Sequence, residues 1–146
     1  MQAFNEELRA RWWQEWEALP RFTRIRKIDP SLPSKKFQKM VNKLTCRQMS
    51  TLVQLCTGHV PLKKHLFWIG RAEGPTCPMC GQDNESIHHF LFDCATWRQE
   101  RWRMSSRLGR AAKEADCIMN TPKGITELMK YVRRTGRFKG VFSELL

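Results

Sequence analysis

The chain has 146 residues, enough for one domain with its own core and too few for two of ordinary size. Hydrophobic residues make up 41% and aromatic residues 10%, which excludes a wholly disordered chain. Lys and Arg number 26 against 14 Asp and Glu; the net charge of +12 favours polyanions, nucleic acid first and an anionic membrane surface second.

Phe4, Leu8, Trp12, Trp16 and Leu19 recur at helical spacing as far as Pro20, which predicts an N-terminal amphipathic helix over residues 1–20. Glu7 and Arg11, four apart in the favourable order, support it. Residues 20–33 contain three prolines and four basic residues and read as an extended connector. Ser34 is a good N-cap for a helix with Phe37, Met40, Val41 and Leu44 on one stripe and Lys35, Lys36, Lys39 and Lys43 on the other side. Thr45 and Gln48 make a capping box for the next helix, with Met49, Leu52, Val53 and Cys56 inward and Gly58 as its stop. Pro61 fits the first turn of a short helix running through Ile69 and ending at Gly70. Residues 34–70 are thus expected to form a small helical bundle.

Residues 76–95 carry the chemistry and are taken up below. After them, Thr96 with Gln99 reads as a cap for a helix rich in Arg whose Trp97, Met104 and Leu108 mark one face. Thr121-Pro122 opens a last helix with Ile125, Leu128, Met129 and Val132 inward, closing at Gly136. Residues 96–138 are therefore basic helices. With no β alternation, repeat or low-complexity tract, the expected fold is all-α: a single small multi-helix domain over 1–146 with an embedded CCHC zinc knuckle.

The stretch CPMCGQDNESIHHFLFDC spans residues 77–94. Its spacing is C-x2-C-x8-H-x4-C with His89 as ligand, or x7 and x5 with His88. Zinc takes four soft or borderline ligands in a tetrahedron, and two cysteines separated by two residues in a tight turn bite one ion. Gly81 permits that turn. A short helix from Glu85 to Phe92, with Ile87, Phe90 and Leu91 inward, brings a His and then a Cys round to close the site. Four protein ligands leave no open position, which makes one structural Zn2+ the expected cofactor.

Other readings compete. A redox Cys-x-x-Cys wants a preceding strand and a βαβ pattern, which are missing here. A disulfide framework wants an oxidising compartment, whereas the start MQAFNEELRARWW has no secretory signal and the longest uncharged stretch, residues 48–62, is too short and polar to span a bilayer. The expectation is an intracellular protein without a membrane segment, nuclear rather than cytoplasmic. Cys46, Cys56 and Cys117 read as incidental or buried thiols, and His59 and His65 as surface or cap residues. Trp12, Trp16 and Trp97 fall at core spacing, leaving Trp13 and Trp102 as candidates for stacking on bases. There is no Gly-rich phosphate loop, no Gly-x-Ser-x-Gly and no close carboxylate pair, so catalysis is not expected.

Charge is uneven along the chain. Residues 1–58 carry 11 basic and 5 acidic groups, residues 59–100 carry 4 and 5, and residues 101–146 carry 11 and 4. Candidate phosphate contacts are Arg21, Arg24, Arg26 and Lys27; Lys35, Lys36, Lys39 and Lys43; and Arg101, Arg103, Arg107, Arg133, Arg134 and Arg137. A protein partner, met by the Cys-rich segment and the Trp-rich N-terminal helix, is the alternative.

The segment LVQLCTGHVPLKKHLFWIGRAEGPTCPMCGQDNESIHHFLFDCATWRQER, residues 52–101, resembles the C-terminal zinc-binding region of non-LTR (LINE-like) retrotransposon reverse transcriptases, especially fungal ones. The likeness extends from about Ile28 to about Phe138. It implies the ligand set Cys77, Cys80, His89 and Cys94, with His88 as an outer residue, because Glu is usual in the family where His88 stands. Ala95 departs from the family, which often has Pro there. The polymerase and RNase H active sites have no counterpart, so the resemblance implies a domain, excised or stand-alone, that helps hold RNA or DNA during target-primed reverse transcription.

Overall fold

The computed structural model describes residues 2–29 and 36–139, with the side chains of 2–3 and 20–22 outside the description. The fold is all-α. Its helices are α1 (Gln2–Glu17), α2 (Pro20–Ile28), α3 (Lys36–Val41), α4 (Cys46–Thr57), α5 (Lys63–Trp68), α6 (Arg98–Leu108), α7 (Ala115–Met119) and α8 (Pro122–Thr135). A π-helical turn, His89–Asp93, and 3-10 turns at Ala95–Trp97 and Gly109–Lys113 complete the order. Among the described residues the only extended pairing is an isolated antiparallel bridge between Thr76 and Asn84. No helix is long and apolar enough to cross a membrane among these residues.

Local signals set both ends of α4 and of α8. The Thr45 hydroxyl accepts from the Gln48 N–H at 3.2 Å while the Gln48 side chain accepts from the Thr45 N–H at 3.0 Å, the reciprocal box that satisfies two orphan donors of α4. Gly58, in the left-handed region, ends that helix. Thr121 caps α8 by accepting from the Gly124 N–H at 3.0 Å, Pro122 occupies the first turn, and Gly136 closes it.

The core is built from Leu52 and Leu55 of α4, Val60 and Leu62 after it, Met104 of α6, Ile118 and Met119 of α7, and the inner face of α8, with Phe90, Leu91 and Phe138 packed among them. α8 supplies Ile125, Leu128, Met129, Tyr131 and Val132. The Phe90 ring meets Tyr131 and Phe138 edge-on, with centroids 5.2 and 5.4 Å away. α7 crosses the start of α8 closely enough that a Cβ on Gly124 would overlap the carbonyl oxygens of Cys117 and Ile118.

Several expectations are corrected. The presumed extended connector is helical over Pro20–Ile28, because Pro20 sits in the first turn, where its missing N–H costs nothing. The other two prolines lie beyond that helix, outside the described residues together with Ser34 and Lys35. Met49 and Val53 are more than a third exposed; Thr51 and Leu55 turn inward instead, beside Leu52 and Cys56. Pro61 precedes α5 rather than opening it. The apolar stripe of α1 exists but faces solvent: Phe4, Leu8, Trp12 and Leu19 are all about half exposed or more, and Trp12 stacks on Trp16 with centroids 5.5 Å apart.

Candidate metal centre

Two pieces of chain bring the ligands together. In the first, the chain doubles back on itself: the Cys77 N–H donates to the Asp83 carbonyl at 2.7 Å and the Glu85 N–H to the Pro75 carbonyl at 2.8 Å. Within that hairpin the Gly81 N–H donates to the Cys77 carbonyl at 2.9 Å, and Gly81 takes φ +67°, a conformation other residues rarely adopt. Cys77 and Cys80 are thereby turned to the same side.

The second piece differs from the single α-helix expected over residues 85–92. Helical geometry starts at Ile87 and widens into the π-helical turn, where the Cys94 N–H donates to the His89 carbonyl at 2.8 Å. In an α-helix residues five apart point well away from each other, whereas a turn closed by an i to i+5 bond returns them to one side. This wide turn lets both His89 and Cys94 face the cysteine pair.

The four ligand atoms of Cys77, Cys80, His89 and Cys94 lie within 4.8 Å of one another. Cys77 Sγ is 3.9 Å from Cys94 Sγ, and Cys80 Sγ is 3.3 Å from His89 Nε2. A tetrahedron with metal–sulfur bonds of about 2.3 Å and metal–nitrogen bonds of about 2.0 Å has edges of roughly 3.8 Å (S–S) and 3.5 Å (S–N), so the group can hold one metal ion. The same distances exclude a disulfide, which needs sulfurs about 2.05 Å apart, and all six cysteines are free. Cys77, His89 and Cys94 are buried, and Cys80 is partly exposed.

The electrostatics suit a cation. Backbone N–H groups of Gln82 and Asp83 lower the Cys80 thiol to about 6, towards the form that binds a cation. Burial pushes Cys77 up to about 11, the desolvation cost that a divalent ion would offset. His89 Nδ1 lies 3.9 Å from the Asp83 carboxylate, on the far side of the ring from the sulfurs. His88 stays outside the cluster, exposed, with Nδ1 2.7 Å from Asp93 Oδ2.

Three sets of contacts that spacing did not mark tie the centre to the body. The Thr96 hydroxyl, expected to cap a helix, donates instead to the Met79 carbonyl at 2.9 Å and pins the hairpin to the chain after Cys94. Glu85 is 1% exposed and accepts from Arg137 through both oxygens, at 2.5 and 2.6 Å, and from the Lys63 N–H at 2.7 Å. One carboxylate therefore joins the hairpin, the start of α5 and the turn after α8. The Tyr131 hydroxyl donates to the Phe90 carbonyl at 2.5 Å, linking α8 to the wide turn.

The candidate phosphate contacts lie in several different settings. Arg137 pairs with Glu85, and Arg24 donates to the Cys56 and Leu55 carbonyls at 2.9 and 3.2 Å, closing the end of α4. Arg26 pairs with Glu17 at 3.1 Å, Arg103 with Glu100 at 3.2 Å, and Arg134 approaches Glu100 at 4.0 Å. Arg101 is half-buried near Tyr131, while Arg107 and Arg133 are exposed on α6 and α8. Lys36, Lys39 and Lys43 line a shallow depression beside Pro122. Lys27 borders a larger groove, and the Arg21 side chain and Lys35 lie outside the description. Of the tryptophans proposed for stacking, Trp102 is 68% exposed and Trp13 half-buried. Trp68, which spacing did not single out, is 73% exposed.

No family model matches the chain, and no curated protein or solved structure matches it either.

Proposed function

We propose that the protein is a zinc-stabilised, non-catalytic nucleic-acid-binding module, similar in role to the C-terminal region of a LINE-like reverse transcriptase. The observation that carries this is the closed Cys77–Cys80–His89–Cys94 group embedded in a chain of net charge +12. Three sulfurs and one imidazole in a tetrahedral arrangement favour zinc over harder ions, and the absence of an open coordination position favours a structural role. The ion would fix the hairpin against the wide turn, and the surface lysines and arginines would attract phosphates by counterion release.

Two measurements test this. Mass spectrometry of the purified protein under non-denaturing conditions should find one tightly held zinc, whose removal by a chelator lowers helicity. Binding to a generic oligonucleotide should weaken steeply with salt. A metal-free preparation with full helicity, or an affinity insensitive to salt, overturns the proposal. Protein binding is the second reading, favoured by the solvent-facing Phe4, Leu8 and Trp12 on α1. It predicts a partner that polyanions such as heparin do not displace.

A further inference from the structure

A groove of about 640 Å³ lies between α2, α5 and the wide turn. Its floor is apolar, formed by side chains that include Ile28, Val60, Leu62, Leu91 and Met119. Its lining is also basic and aromatic, with Arg24 and Lys27 from α2, Lys64, His65 and Trp68 from α5, and His88. Lys27 and Lys64 are exposed and their ammonium groups make no ion pair among the described residues. The one carboxylate in the lining, Glu85, is neutralised by Arg137.

We propose that this groove binds a single-stranded segment of RNA or DNA, its phosphates against Lys27 and Lys64 and a base stacked on Trp68. The proposal rests on the nucleic-acid reading above and gives it a location. Three observations select a single strand. The groove's uncompensated charge is positive. Trp68 stands 73% exposed at its edge, where an unpaired base can reach it and a paired base in a duplex cannot. Its neighbours Phe67 and Ile69 are 48% and 47% exposed, so the whole end of α5 offers an apolar platform. His65 supports that platform, its ring 6.0 Å from Trp68 and 5.4 Å from His59. Most of these groups were not among the residues marked out by charge clustering, because they come together only across α2 and α5.

The test is fluorescence anisotropy with a labelled mixed-sequence 12-nucleotide strand, as RNA and as DNA, and with the corresponding duplexes. It compares the zinc-loaded full chain with Trp68→Ala, with Lys27→Ala/Lys64→Ala, and with a charge-matched control, Lys113→Ala/Lys123→Ala, whose residues lie outside the groove. Helicity and metal content are verified for each; these side chains are exposed, so folding should be retained. Trp68→Ala should weaken single-strand binding about fivefold or more. Lys27→Ala/Lys64→Ala should reduce the slope of log affinity against log salt by roughly 1.4, at about 0.7 per phosphate contact, and the control should leave the slope unchanged. If the parent protein binds but the groove variants match it, or the control loses as much as the lysine pair, the groove is wrong while general binding survives. Failure of the parent protein to bind any strand overturns both.

Discussion

Glu85 offers the sharpest test of how the centre is held. Glu85→Gln keeps the side-chain volume but turns one accepting oxygen into a donor and removes the charge facing Arg137, whose side chain is only 14% exposed. A guanidinium left in that position without a counter-charge costs about 3–5 kcal/mol. Against a total stability of about 5–15 kcal/mol, that is a large share. For a chain of this length it corresponds to a fall in Tm of about 10 °C. Far-UV circular dichroism during thermal and urea unfolding of the zinc-loaded protein measures it, and Arg137→Met and the double variant complete a cycle. The double variant should recover much of the loss, since removing both charges leaves neither stranded. A single-variant loss below about 1 kcal/mol, or a double variant equal to the sum of the singles, would refute the idea that one buried pair joins the hairpin, α5 and the end of α8.

Gly124→Ala should destabilise by about 1–3 kcal/mol or more in the same unfolding assays, because its new Cβ meets backbone of α7 that cannot swing aside. Tyr131→Phe should cost about 1–3 kcal/mol by leaving the buried Phe90 carbonyl without its donor, and hydrogen exchange should rise first in residues 87–94. In a thiol titration of the zinc-loaded protein, exposed Cys46 should react fastest and Cys117, raised by its bond to Glu114, more slowly; three further thiols should appear only with chelator. Cys56, pushed up to about 12 by burial, should stay inert until unfolding. A folded-state value above the ordinary 9.0 binds its proton more tightly than the unfolded chain does. Its contribution to stability is thus complete below about pH 9 and lost as pH rises towards 12, which alkaline unfolding curves of Cys56→Ala should reveal by a shallower decline.

What was legible in the chain was chiefly local. The Thr45–Gln48 box and the Thr121-Pro122 start each act over three or four residues, as do the glycine stops, and all of them stand where spacing put them. The three cysteines were legible because their spacing is itself the chemistry, while that spacing left His88 and His89 both open and only the family likeness pointed to His89. Failures came where one local pattern admits two outcomes. Three prolines suggested an extended connector, although Pro20 begins a helix. Thr96 has the spacing of a cap but bonds a carbonyl 17 residues away. Periodicity in α1 marks an apolar stripe without saying what covers it. Glu85 and Arg137, 52 residues apart, carry no mark in the sequence that separates them from ordinary surface charges.

The wide turn has a consequence for which versions of this chain can exist. Residues 81–84 are all exposed, yet the Cys77 N–H on the Asp83 carbonyl, the Gly81 N–H on the Cys77 carbonyl and the Thr76–Asn84 bridge hold the interval between Cys80 and Glu85 in one hairpin. The interval from His89 to Cys94 is fixed more tightly still: one residue gained or lost there swings the last sulfur by about 100° around the helix axis and drags Phe90 and Leu91 out of register with α8. Homologous chains should therefore hold a fixed count from the imidazole to the last sulfur.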